Sequence, residues 1–84
     1  MSKQIVILQR GWVVVGDFSQ SGSECSIKDG AVVRRWGTSK GLGELAVEGP
    51  QPNTVLDPIP LMKFHELTIV ARLECNSNAW SVKP

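Results

Sequence analysis

The stretch Arg34-Arg35-Trp36-Gly37-Thr38-Ser39-Lys40-Gly41-Leu42-Gly43-Glu44-Leu45 gathers basic, hydroxylated, small and aromatic residues in one short run. It reads as the junction between a strand and a helix. The first amides of a helix have no partner within it, and the helix dipole favours negative charge there, so such a junction is suited to an anion. Gly37, Gly41 and Gly43 would let a ligand come close to the backbone, Thr38 and Ser39 carry hydroxyl donors, and Lys40 carries charge. Trp36 offers a face on which a base can stack. Arg34 and Arg35 alternate in a strand, so only one of them is expected to face the site, in a buried position. A plainer reading of the same residues stays open: an ordinary capped helix, with Trp36 in the core and both arginines in solvent.

Other catalytic patterns lack parts. Gly41-Leu42-Gly43-Glu44-Leu45-Ala46 fits the dinucleotide-binding glycine pattern, but so short a chain has no room for a doubly wound sheet, and the glycines are expected inside the helix. Gly37-Thr38-Ser39-Lys40 has the order and spacing of a phosphate-binding P-loop wrong. His65 beside Glu66 cannot make a dyad in a strand, where neighbours point to opposite faces. Cys25 and Cys75 are far apart, and with a single histidine they assemble no metal-ligand spacing; they read as free thiols in strand patterns. The sequence therefore predicts a binding protein, with no cofactor and no metal.

The elements that would position these residues follow from hydrophobic periodicity. Ile5-Val6-Ile7-Leu8 and Trp12-Val13-Val14-Val15 predict a first hairpin, with Trp12 in the core. Ser19-Gln20-Ser21-Gly22-Ser23 predicts a turn, and Cys25 and Ile27 alternate with Glu24, Ser26 and Lys28 as in a half-buried strand. Asp29-Gly30 predicts a tight hairpin into Ala31-Val32-Val33-Arg34-Arg35-Trp36, which would make four strands by Trp36. Leu42, Leu45 and Ala46 have helical spacing, with Thr38 or Ser39 as the cap and Gly49-Pro50 as the stop. Pro50, Pro52, Pro58 and Pro60 exclude helix and central strand and predict an extended loop or edge. Leu61, Met62 and Phe64 begin a strand, and Leu67 to Cys75 predicts the last long one. Trp80, in a polar tail with Val82, is expected to be disordered or to anchor on a neighbouring chain. Together these predict one α+β domain over residues 1–84: a small antiparallel, bent or barrel-like sheet of about five strands with one short helix, and a polar tail from about residue 76.

The chain's 84 residues leave no room for a second domain, and a core this small points to a homo-oligomer. A formal net charge of +1 gives no basic field for general nucleic-acid binding. The apolar runs are far below the roughly 20 residues of a membrane helix, and the N-terminal run is too short for a secretory signal, so neither membrane nor export is expected.

Trp12-Val13-Val14-Val15-Gly16, then Ala31-Val32-Val33-Arg34-Arg35-Trp36, then a small-residue helix closing as Leu45-Ala46-Val47-Glu48-Gly49, resemble a family of small phage-encoded proteins of unknown function. That family's pattern is a strand ending in Arg-Trp, a Gly/Ala/Ser-rich helix closing Gln-Leu-Ala-x-Glu-Gly, a proline-containing loop and a final strand. The likeness covers about residues 5 to 75, with Glu44 where the pattern often has glutamine. In size and β-rich character the chain is also similar to small oligomeric phage proteins that sequester nucleotide immune signals. The resemblance implies a non-catalytic anti-defence sponge in the host bacterial cytoplasm, with a small phosphate-bearing nucleotide as its ligand. The alternatives are a module that binds a host protein through a sheet edge or through Trp80, and a minor virion structural protein.

Overall fold

The computed structural model describes residues 2–76 and 78–80, so Val82 of the expected tail lies outside the described residues. Six strands form one antiparallel sheet: β1 (Ser2–Leu8), β2 (Val13–Ser21), β3 (Glu24–Arg35), β4 (Val55–Ile59), β5 (Met62–His65) and β6 (Ile69–Glu74). One helix, α1 (Leu42–Glu48), follows β3. The strand order is β4-β3-β2-β1-β6, with β5 pairing the other half of β3. Among the described residues no helix is long and apolar enough to cross a membrane.

The unbroken run Val13-Val14-Val15 is explained by the position of β2. It is a central strand buried on both faces, with Val13 and Val15 packing towards α1 and Val14 and Phe18 towards the opposite cluster. The first cluster joins Ile5, Ala31 and Val33 to Leu45 and Ala46 of α1. The second joins Val6, Leu8 and Val14 to Phe18, Cys25 and Ile27. Burying each Val, Leu, Ile or Phe side chain of these clusters contributes about 1.5–3 kcal/mol.

The Asp29-Gly30 hairpin is not formed. Glu24–Arg35 is one long strand, so only β1, β2 and β3 precede Trp36, and the pair makes a bulge within β3. The β2–β3 register shifts there, from Val15↔Ala31 to Asp17↔Lys28, and odd-numbered residues change face, with Ile27 on one side and Ala31 on the other. Asp29 has φ 52°. A left-handed Asp before Gly serves a bulge as readily as a turn, so the local signature is shared. Gly30 is required by a close approach: a Cβ there would sit 2.7 Å from the Val15 carbonyl oxygen. The true β2–β3 turn is only Gly22-Ser23, with Ser19 opposite Ser26 inside the ladder.

The sheet is strongly bent, for a reason that follows from chain length. The Glu66 amide donates to the Ser23 carbonyl at the β2–β3 tip (2.9 Å), yet Ile69, three residues on, pairs with Leu8 near the far end of β2. A flat β2 would separate these points by about 26 Å, while three residues span at most about 10 Å. The distal half of the hairpin therefore folds back over Val6, Leu8 and Val14, which buries Phe18 and Ile27. The sheet does not close into a barrel: among the described residues no ladder joins β6 to β4 or β5.

The proline segment supplies β4 as an edge strand with Pro58 inside it, as its composition requires. The stretch read as one final strand begins instead as a 3-10 turn (Glu66–Thr68), so β6 is short and Cys75 lies just past it. Trp80 neither hangs free nor reaches for a neighbour. It is 4% exposed in its own chain's core, and its indole N–H donates to the carbonyls of Leu45 (3.2 Å) and Ala46 (3.1 Å). The last carbonyls of α1 need donors, and the tail provides them, with the Asn76 amide also donating to Ala46 O at 2.9 Å.

Candidate functional site

Trp36 leaves β3 with 44% of its surface exposed, so its ring is available rather than part of the core. Its carbonyl accepts from Thr54 Oγ1 at 2.7 Å, which ties the strand end to the proline segment. A second tie follows at Gly37, whose φ is 70° and where a Cβ would meet the backbone of Asn53 and Thr54 at 2.4 Å. Gly37 is thus demanded by the close approach of two segments of the chain. Gly41, at φ 83°, is the helix N-cap and lies beside Trp36, Cζ3 being 3.8 Å from where its Cβ would stand.

Neither arginine is buried, which corrects the expectation of one inward and one outward. A bulge between Val33 and Arg35 in the β3–β4 register breaks the alternation, and both side chains reach solvent. Arg34 Nε pairs with Asp57 Oδ2 at 2.9 Å, an exposed ion pair of modest energy. Arg35 stands opposite Val55.

The hydroxyls and amides of the junction are largely occupied from within. Thr38 Oγ1 donates to the Gly41 carbonyl (2.7 Å), and Ser39 Oγ contacts Glu44 Oε1 (3.3 Å). The same Glu44 oxygen accepts from the Lys40 amide at 2.8 Å. Neither Thr38 nor Ser39 caps α1; Glu44, third residue of the helix, reaches back instead, a variant of the capping box. A carboxylate already holds the place where a phosphate was expected. Beside it an open groove of about 350 Å³ is lined by residues including Ser39, Lys40, Gly43, Glu44 and Glu48, so acids outnumber bases there.

Of the glycines thought to lie inside the helix, Gly41 is its cap, and only Gly43 is interior. Nothing lies within 4 Å of a Cβ at Gly43. It is the glycine of this segment that no packing constraint explains, and it faces the groove.

Elsewhere, His65 ends β5 and its Nδ1 accepts from the Leu67 amide (3.1 Å), while Glu66 Oε1 accepts from Gln20 Nε2 (2.7 Å), so the two do not act on each other. Cys25 and Cys75 are free thiols. Burial pushes the Cys75 thiol up to about 11 and raises Cys25 as well, with Glu66 adding to the latter, so neither is a ready nucleophile at neutral pH. Among the described residues no group of three or more His, Cys, Asp or Glu is placed to hold a metal ion.

Sequence reasoning missed Trp12. It precedes β2, is 51% exposed, and its carbonyl accepts from the Leu8 amide at 2.7 Å. Extending the β2–β3 register by two residues beyond Val14↔Val32 places it opposite Arg34. The adjacent Arg10-Gly11, both at positive φ, was the available sign that Trp12 closes a turn. No protein-family model matches the chain, and no curated protein matches its sequence.

Proposed function

We propose that this chain is a non-catalytic, homo-oligomeric phage protein of the host bacterial cytoplasm that binds a phosphate-bearing nucleotide and so sequesters an immune signal. The observation that carries the reading is the exposed Trp36 ring beside Gly41, followed in sequence by Lys40 and preceded by Arg35, both solvent-facing. The base stacks on Trp36. The phosphate is met by the side-chain charges of Arg35 and Lys40, because Glu44 holds the Lys40 amide. The biological role rests on the resemblance of the strand-Arg-Trp and Leu-Ala-x-Glu-Gly pattern to small phage proteins.

The test is a thermal-shift screen against cyclic di- and trinucleotides, ADP-ribose derivatives and mononucleotides. A ligand at one hundred times its dissociation constant adds about 2.7 kcal/mol of stability, which is readily seen. The shift is expected to vanish in Trp36→Ala and to weaken in Arg35→Ala and Lys40→Ala, each charge contributing about 1.5–3 kcal/mol. No shift with any nucleotide overturns the reading.

A second reading, a module that binds a host protein, is favoured by a different observation. Trp12, Leu67 and Val70 are exposed at the end of the sheet where Leu8 meets both Trp12 and Ile69. It predicts a host protein retained by the wild type and lost in Trp12→Ala.

A further inference from the structure

We infer that the free edge of β6 is a self-association surface: a second copy adds its own β6, antiparallel, about a two-fold axis at Leu73, with Arg72 of each copy opposite Glu74 of the other. This specifies the oligomer of the proposed function and is independent of its nucleotide site.

Among the described residues β6 is paired only with β1. The direction of its backbone groups follows from one bond. The Cys75 amide donates to Lys3 O (3.1 Å), in line with the register Gln4↔Glu74, Ile5↔Leu73 and Val6↔Arg72. Opposed residues in an antiparallel pair alternate between exchanging backbone bonds and not. Cys75, Leu73 and Ala71 therefore turn their backbone groups to β1, and Arg72 and Glu74 turn theirs outward. Both are exposed.

The opposite side of the sheet is protected. β4 contains Pro58 and is followed by Pro60, and β5 carries an exposed Lys63. β6 has no proline, and its charges are of opposite sign at alternate positions, so two copies can complement each other. Charge then selects the register. A pairing centred on Arg72 or on Glu74 sets like charges against each other at the axis. One centred on Ala71 sets Arg72 against Val70, the residue that the β1–β6 irregularity leaves unmatched. The pairing centred on Leu73 sets Arg72 against Glu74 twice, each pair exchanging both backbone bonds. It also brings Leu73 against Leu73 on the α1 side, where this side chain already packs on the core. In the single copy Arg72 leans inward over the sheet, its guanidinium 4.5 Å over the Phe18 ring and Nη1 donating to Gln4 Oε1 at 3.4 Å, so pairing with the partner's Glu74 turns this side chain outward.

Sedimentation of the full chain across a dilution series tests this. The wild type is expected to dimerise, and Arg72→Glu or Glu74→Arg alone to weaken the dimer by roughly tenfold or more. Mixed in equal amounts, the two variants are expected to form a heterodimer, since the all-acidic edge of one meets the all-basic edge of the other. Hydrogen exchange on the wild type reads the same contact without substitution: the Arg72 and Glu74 amides slow as concentration rises, while exposed loop amides do not. A monomer at every concentration, a dimer indifferent to both reversals, or single variants that fold but do not pair when mixed each overturn the inference. If such a monomer still binds nucleotide, the proposed function loses only its oligomeric part.

Discussion

The β3–α1 connection and the β6 edge make opposite use of their polar groups. In the connection, Glu44 takes the Lys40 amide, Thr38 takes the Gly41 carbonyl and Thr54 takes the Trp36 carbonyl. A segment composed like an anion site is mostly satisfied by its own chain, and what it leaves exposed is side chains: Trp36, Arg35 and Lys40. In β6 the side chains are unremarkable for a strand, and what is left over is backbone, at Arg72 and Glu74. Composition advertises the first kind of surface. The second exists only because β1 covers one side of β6 and nothing described covers the other.

The largest expected effect breaks the closed side of this comparison. Gly37→Ala puts a Cβ into the Asn53–Thr54 backbone at a left-handed φ and should cost about 2–4 kcal/mol in chemical denaturation. A neutral Gly37→Ala would show that the two segments do not touch as described. An intermediate effect comes from Glu44→Ala, which frees the Lys40 amide. It should lower stability by about 0.5–1 kcal/mol and, if nucleotide phosphate binds nearby, tighten that binding roughly three- to tenfold by calorimetry. Unchanged affinity would place the ligand away from the helix start. The smallest effect is at Gly43→Ala, where open space lets helix propensity act alone and stability should rise by about 0.5–1 kcal/mol. Nucleotide binding lost in that stabilised variant would locate the ligand over Gly43; binding retained would show that the groove is not its contact.

Much of the fold was legible because local chemistry left few choices. Val13 to Val15 read as a buried strand, the prolines forced an edge at β4, and the spacing of Leu42, Leu45 and Ala46 with the Gly49-Pro50 stop gave α1. The misreadings share one cause, that a local signature served a different long-range need. Asp29-Gly30 has the left-handed tolerance of a turn and uses it for a bulge, because β2 pairs with β3 before and after it, with β5 and β4 on the other edge, and keeps the strand continuous. Trp12 looked like core because it adjoins a valine run, but that run begins one residue later. The candidate site was legible as a list of residues and not as an arrangement: Gly37 and Gly41 answer to backbone geometry, and Gly43 has only open space where a Cβ would stand.

By itself the sequence determined the β-rich character, the position of the helix and the gathering of basic and aromatic residues between strand and helix. These depend on periodicity and on the backbone limits of glycine and proline, which act over a few residues. Tertiary structure decided the sense of the bend, the burial of Trp80 against the end of α1, the capture of the Lys40 amide by Glu44, and which sheet edge is left bare. Each of these is a choice among partners distant in sequence or equivalent in type, and that choice is made only when the chain competes for its own donors and acceptors in a single packed shape.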